Sequence, residues 1–520
     1  MIPPGFENRL FTAAQSRDID RRTIEELGIP GFTLMEVAAQ RAADHIFEMQ
    51  PGPVRVLSFC GKGNNAGDAL AVSRLLLMKG FSVDVCLALG KTGMSADAAA
   101  NLRILEKMLE ADPELPLRFF EGVLPGRVYC TVIDGLFGTG LQRDVTGPLA
   151  EMIAEINRWQ ARVFAMDIPS GLHADSGAVM GTALQAHTTL MFGTAKAGCY
   201  LGRGAALSGK RVLCPLPFPA HLLREAEGAV LRSLSPGGKP QLENKLRKLR
   251  EGREVRHKYQ NGNVYVLGGS PGLTGAVILT AKAAWSTGCG SVQVFTTPEV
   301  SPAYDAHFVD ITRKMIPGDG SGLFKADAVR AVAEVIAARP GVLVLGPGLG
   351  THPETAAAVR QLLRLVKAPV VLDADGVRAL SGHTEKLPDD LRLIVTPHPG
   401  EQEQLLGFSI AQPEQLAQAL NHFPCRDNMV FLAKGSPALL ATRNECRITT
   451  YDTRIFSRTG FGDVLAGLMA GMLSRLPDST VTAESMLDVS ALAMLESYAR
   501  ATCQHESAVS PSAPEAGGMF

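Results

Sequence analysis

Three short segments in the first half of the chain put glycines, amides and carboxylates where ions are commonly held. CGKGNNAGDAL (60–70) follows an apolar run and leads into the helical stretch ALAVSRLLLMKG. Its glycines and asparagines therefore sit at a helix N-terminus, where free backbone N–H groups can meet a phosphate-bearing ligand. DGLFGTGL (134–141) and MDIPSGL (166–172) each put an acidic residue at the carboxyl end of an expected parallel strand, the edge at which such sheets bind ligands. Asp134, Asp167, Ser170 and the amide oxygen of Asn65 are suited as hard oxygen ligands for a cation; alternatively Asp167 is an acid/base group, or the carboxylates, Asp68 included, are plain helix caps. The first segment is not a Walker A loop. Nor is Gly90-Lys91-Thr92, because Val85 stands where the first glycine is required.

The second half carries a different set. In RTGFGDVLAGLMAGML (458–473), Gly460, Gly462 and Asp463 precede a strongly apolar helix, which sets a carboxylate beside an anion-binding N-terminus. Phosphoryl transfer needs that pairing: backbone donors stabilise charge on the transferred group, and a carboxylate accepts the hydroxyl proton. The bland reading is an N-terminal cap on a buried helix. GGSPGLTGAVILTAKAAW (268–285) and GPGLG (346–350) add two further glycine loops, and His398 in TPHPGE and Lys434 in AKGSPALL lie at the ends of two more expected strands on the same edge.

Positioning these residues takes a sheet. Nearly continuous apolar runs at 54–60, 82–89, 128–134, 162–169 and 188–193 alternate with helix-like segments, and the pattern resumes at 263–269, 291–297, 341–348, 369–375, 392–398 and 428–435. Parallel strands buried on both faces read this way, so two doubly wound α/β units are expected. The chain of 520 residues is long enough for two large domains. A Pro/Gly stretch followed by a Lys/Arg-rich one, 231–256, reads as the linker, with Leu242, Leu246 and Leu249 on one face of a short solvated helix. The expected division is 1–230, the linker, 257–504, and a disordered Ser/Ala/Pro/Gly-rich tail at 505–520. The halves show no convincing internal repeat.

A formal net charge of -1 gives no field for nucleic acid or an anionic membrane, so no partner of either kind is expected. Nine scattered cysteines without a CxxC pair suit buried or incidental thiols in a reducing compartment. The N-terminus lacks the apolar core of a signal peptide, and no run of about 18 apolar residues follows. A cytoplasmic protein acting on small molecules is expected, as a homo-oligomer.

GKGNNAGD, DGLFGTGL, DIPSGL and TAKAG (194–198), in this order, resemble the NAD(P)H-hydrate epimerase domain over roughly residues 10–225. The resemblance implies a Rossmann-like three-layer fold that interconverts the two epimers of hydrated NAD(P)H. It also implies potassium held by Asn65, Asp134 and Ser170. Substrate contacts would come from Asn64, Asn65, Ala66, Gly67 and Asp68, from Gly138, Thr139, Gly140, Leu141, Gln142, Arg143 and Asp144, and from Asp167. In the second half HK (257–258), GGSPGLTGA, GPGLG, LDADG, TPHPGE, AKGS and GFGDVLAG resemble the ADP- or ATP-dependent NAD(P)H-hydrate dehydratase domain, which has a ribokinase-like α/β fold. By the same carry-over Asp463 is the base that activates the substrate hydroxyl, and Ala276, Gly348 and His398 line the hydrate. Lys434, Gly435, Ser436, Pro437 and Ala438, with Gly462, hold ADP or ATP, which magnesium accompanies. The fusion resembles the bifunctional NAD(P)H-hydrate repair enzymes over almost the whole chain.

Three departures stand out. Ala69 replaces a second glycine after Asp68, Phe461 replaces a small Ser or Thr between two glycines, and IFSR (455–458) replaces a small-residue stretch. A bulky Phe461 is expected to narrow the phosphate site or shift nucleotide preference. Two other readings follow: a ribokinase-like small-molecule kinase, whose phosphorylated product would be stable, and an active epimerase fused to a non-catalytic nucleotide-binding half.

Overall fold

The computed structural model describes residues 6, 8–50, 52, 54–226, 230–251 and 257–509. Two compact units divide the chain, Met1–Ser233 and Leu234–Phe520. Among the described residues, no helix is long and apolar enough to cross a membrane.

Seven strands form the main sheet of the first unit: β1 (Arg55–Cys60), β2 (Ser82–Leu87), β3 (Leu117–Glu121), β4 (Thr131–Gly135), β5 (Arg162–Met166), β6 (Thr188–Phe192) and β7 (Lys210–Cys214). They lie in the order β3-β2-β1-β4-β5-β6-β7, all parallel. Successive residues of each strand serve opposite layers. Val56, Ile133 and Phe164 pack with helices Gly31–Met49, Asn64–Met78 and Ala96–Ala111, whereas Leu57, Val132 and Val163 pack with helix Pro148–Arg158. The result is the three-layer α/β sandwich expected from the apolar runs. Strand order reverses between β1 and β4, and such a switch opens a crevice at the carboxyl edge. The glycine loop after β1 and Asp134 on β4 flank that crevice.

The second unit repeats the scheme with β8 (Asn263–Leu267), β9 (Ser291–Thr296), β10 (Thr312–Met315), β11 (Val342–Leu345), β12 (Val370–Leu372), β13 (Leu393–Val395), β14 (Met429–Ala433), β15 (Leu439–Ala441) and β16 (Glu445–Thr449). Its order is β10-β9-β8-β11-β12-β13-β14-β15-β16, parallel as far as β14 and antiparallel beyond it. The switch here lies between β8 and β11, which are followed by GGSPG and GPGLG. Helices Thr274–Ser286 and Phe461–Ser474 cross one face in close contact, because a Cβ at Gly467 would stand 2.2 Å from the carbonyl oxygen of Thr280.

Strands β3, β7, β10, β15 and β16 have no counterpart among the apolar runs. The first three border their sheets or lie near the border, and all four residues of β10 are exposed, so one-sided burial selects no continuous apolar run. The basic stretch 231–256 contains the end of a strand, Val230–Leu234, and a helix, Lys239–Arg250. Leu246 is buried in the second unit's core, with Leu242 and Leu249 packed against it. The expected disordered tail begins within the last helix, Ala483–Val509, and 510–520 lie outside the described residues. Eight described cysteines are free thiols, seven of them buried.

Leu246→Ala should lower the stability of the second unit by about 2–5 kcal/mol, read from its urea unfolding transition. Exposed Lys248→Ala should change it by less than about 0.5 kcal/mol.

Candidate functional site

A cavity of about 720 Å³ occupies the carboxyl edge of the first unit. Helix Asn64–Met78 opens on Gly63 with no side-chain cap, so its first N–H groups face the cavity, and Asp68 lies more than a turn inside and is not a cap. Asn64, Asn65, Asp68, Gly138, Thr139, Gly140, Leu141, Gln142, Arg143 and Asp167 all line the cavity. Ala66 and Gly67 are buried within the helix, and Asp144 is exposed outside the lining. Ala69 packs where a Cβ on Gly135 would stand 2.4 Å away, so the extra methyl group takes up room between the helix and β4.

Beneath the glycine loop lies a nest of oxygen atoms. The Ser170 hydroxyl donates to Asp134 Oδ1 at 2.5 Å and accepts from the Phe137 N–H at 2.8 Å. The Ser170 N–H donates to Asp134 Oδ2 at 2.8 Å, and Asn65 Nδ2 donates to the Phe137 carbonyl at 2.8 Å. Burial pushes the Asp134 carboxyl up to about 6 against the hydrogen bonds from Ser170. An acceptor-rich pocket around a fully buried carboxylate suits a large monovalent cation, which would hold that carboxylate ionised.

Asp167 takes a left-handed backbone conformation, φ +64°, at the end of β5. Such strain in a residue other than glycine persists where the surroundings over-determine it. Lys196, 3 % exposed, forms an ion pair with Asp167 and donates to the Phe192 carbonyl at 2.8 Å, and the Phe192 N–H donates to Asp167 at 2.9 Å. Asp20, on helix Ala13–Glu25, also lines the cavity; its carboxyl is raised to about 6, by burial foremost, with Lys196 opposing and Asp167 adding. Asp68 is raised well above the carboxylate range, by burial first and then by Asp167 and Asp20. Several carboxyl groups thus share one lysine, the arrangement that lets one hold a proton while another stays ionised.

The second unit's cavity, about 460 Å³, is lined by His398, Lys434, Gly435, Ser436, Ala438, Gly462 and Phe461, the bulky residue between the two glycines, among others. Pro437 lies in the same loop but outside the lining. Gly460, φ +88°, starts helix Phe461–Ser474, and Asp463 stands in its first turn. Burial raises the Asp463 carboxyl to about 6, Asp373 and Asp375 add to this, and Lys434 opposes it. Lys434 Nζ donates to Asp373 Oδ1 at 2.6 Å, as does the Thr396 hydroxyl. The strained residue is here Ala374, φ +50°, between the two aspartates. His398 Nδ1 accepts from the N–H groups of Gly400 and Glu401, and its Nε2 lies 3.1 Å from buried Glu401, so the ring caps helix Pro399–Leu406 while bordering the cavity. Ala276, in the first turn of helix Thr274–Ser286, and Gly348, on the glycine loop after β11, lie outside this lining, and the Ser270 N–H donates to the Gly348 carbonyl at 2.7 Å. Among the described residues, no group of three or more His, Cys, Asp or Glu side chains forms a metal cage.

Two family models match the chain: residues 31–198 the one described as YjeF-related protein N-terminus, and residues 264–513 the one described as NAD(P)H-hydrate dehydratase. A bifunctional NAD(P)H-hydrate repair enzyme of Salinibacter ruber is 34% identical over 493 residues, covering 90% of this chain and 88% of that protein. Its namesake in Moorella thermoacetica is 34% identical over 482 residues, covering 89% and 87%. The chain belongs to the bifunctional NAD(P)H-hydrate repair enzymes. A solved ADP/ATP-dependent NAD(P)H-hydrate dehydratase of Bacillus subtilis, co-crystallized with ATP/Mg2+ and soaked with CoA, is 21% identical, covers 50% of this chain and 97% of its own, and has a TM-score of 0.36.

In this repair enzyme the two departures of the second half meet at one place. Phe461 and Phe456, the latter from IFSR, lie 4.9 Å apart between ring centroids and both line the cavity. The sequence reading passed over Lys196, Asp20, Asp373 and Asp375 as site residues. TAKAG and LDADG carry three of them, whereas Asp20 lies on an amphipathic helix with no motif around it. Lys196→Met leaves the Asp167 carboxylate uncompensated in the first unit and should destabilise that unit by about 3–5 kcal/mol, visible as a lowered first-unit transition in calorimetry.

Proposed function

We propose that the first unit epimerises the R and S hydrates of NADH and NADPH, and that the second dehydrates the S form with phosphate from ADP or ATP. The observation that carries this reading is the pairing, in one chain of this family, of a carboxylate-rich cavity with a second cavity lined by Lys434 and by Phe461 and Gly462 of a helix N-terminus, with Asp463 in the same first turn. Hydroxide is a poor leaving group, but a phosphorylated hydroxyl departs readily and restores the dihydronicotinamide. Asp463 takes the hydroxyl proton, while the N–H groups beyond Gly460 and the Lys434 ammonium hold the transferred phosphoryl group. Epimerisation upstream makes both hydrates available to a dehydratase that accepts one.

In the first unit Asp167 is the acid/base group and Lys196 holds it in place. Potassium, held by Asn65, Asp134 and Ser170, would supply a fixed positive charge beside the glycine loop. In the second unit magnesium would enter with the nucleotide, since it binds through one or two carboxylates and substrate phosphates in preference to a full protein cage; Asp373 and Asp375 offer those carboxylates. We place the enzyme in the cytoplasm as a homo-oligomer, without nucleic-acid or membrane partners. The aromatic wall of Phe456 and Phe461 supports the narrower reading in which the second half holds nucleotide without turning it over. The neighbouring Asp463, Lys434 and Asp373 support turnover.

The test is recovery of dihydronicotinamide absorbance from an epimer mixture of NADH hydrate with magnesium and either ADP or ATP. Recovery from both epimers is expected, and Asp463→Asn should lower the dehydration rate about 10²–10⁴-fold. The base must be ionised, so dehydration should rise with pH through about 6 and then level off. Acceleration of an added dehydratase toward the slow epimer, with no recovery by this chain alone, would leave only the first half active. Asp134→Ala should remove activation of epimerisation by potassium, measured as the rate across a potassium series.

A further inference from the structure

Helix Ala13–Glu25 precedes the first matched family region, yet it brings a carboxylate into the first cavity. Its placement is set by groups other than that carboxylate. Thr12 and Gln15 form a reciprocal capping box, the Ala13 N–H donates to Asp175 at 2.6 Å, and the Ser16 hydroxyl shares a 2.8 Å hydrogen bond with that of Thr194. Ser16 and Asp20 are four residues apart, hence on one helical face, and Thr194 is two residues before Lys196. The Ser16–Thr194 bond therefore fixes Asp20 beside the Lys196–Asp167 pair. Asp20 sits among the lining residues of the cavity, where a bound hydrate would meet it.

We infer that Asp20 is a second catalytic acid/base residue of the epimerase, exchanging a proton with the hydroxyl group of the hydrate. This rests on the epimerase reading of the first unit and adds a group that no motif in the chain marks. Inversion of the hydroxyl-bearing carbon needs a proton delivered and a proton removed. Protonated Asp20 gives its proton to the hydroxyl oxygen; the C–O bond breaks, its electron pair leaves with water, and the lone pair of the adjacent ring nitrogen forms the C=N bond of an iminium. Water adding to the other face gives up a proton to an ionised carboxylate and restores the hydrate. Atoms and charge balance without an oxidant, a reductant or a net proton.

The charged groups that face this exchange are Lys196, Asp167 and Asp68, with Arg17 on the helix of Asp20 itself; Lys62, Asp97 and Arg143 border the same cavity. Held near 6, Asp20 exchanges its proton readily close to neutral pH.

The experiment follows epimerisation of a single enriched NADH hydrate epimer by the full chain, between about pH 5 and 8. Asp20→Asn should lower kcat about 10²-fold or more while KM stays within about threefold, and the decline of kcat/KM as pH rises through about 6 should disappear. Asp20→Glu should recover part of kcat, and in both variants nucleotide-driven dehydration by the second unit should stay at the wild-type rate. An Asp20→Asn enzyme within about threefold of wild type in kcat would overturn the inference, as would a rise in KM alone. A wild-type chain that does not epimerise the hydrate at all would overturn the epimerase reading itself.

Discussion

Each site gathers carboxylates that would repel one another in a partly buried place, and each sets a lysine directly against one of them. In the first unit Lys196 faces Asp167, with Asp20 and Asp68 close enough to be shifted by that pair. In the second unit Lys434 binds Asp373, with Asp463 and Asp375 beside it. A carboxylate moved out of water is costly unless paired, so without the lysine these groups would take up protons and lose their distinct roles. Beside these ion pairs Asp20, Asp68 and Asp463 are shifted toward neutrality, which is the kind of tuning that acid/base chemistry needs near pH 7.

The sheets determine where such clusters form. Both units use the strand order 3-2-1-4-5-6 about a central switch, which puts consecutive loops from non-consecutive strands side by side. Asp134 and the loop before Asn64 are far apart in the chain, but β1 and β4 are neighbours, with Phe59 aligned to Asp134. GGSPG and GPGLG meet in the same way after β8 and β11. Two of the three described residues other than glycine with a positive φ, Asp167 and Ala374, follow a site strand of each unit; the third, Gln160, lies in the turn ahead of β5.

The two units spend their glycines differently. In the first, Gly63 begins a helix with exposed N–H groups, and the methyl group of Ala69 lies against Gly135 where a smaller residue would leave space. In the second, Gly467 lets two core helices approach, which aligns the N-terminus bearing Gly462 and Asp463 with the loops of β8 and β14. Phe461 is placed by that alignment. Its ring packs against that of Phe456 at the cavity wall, so two departures that are separate in sequence become one aromatic surface.

The α/β class, the central strands and the glycine-loop residues that line the cavities were legible in the sequence, because buried parallel strands are continuous apolar runs and the loops after them carry glycine next to acidic or amide residues. Edge strands such as Thr312–Met315 were not, since one-sided burial imposes no such run. Nor was the docked state of the helix at Lys239–Arg250, whose basic face hides a single well-buried leucine. Sequence alone also determined that Asp463 follows a glycine pair at a helix start and that Asp134 and Asp167 stand at strand ends. Only the tertiary structure decided that Lys196 neutralises Asp167, that Lys434 neutralises Asp373, and that Asp20 reaches the first cavity. Ion pairing and proton affinity depend on distance and exclusion of water, and these arise when segments remote in the chain are brought to one edge of a folded sheet.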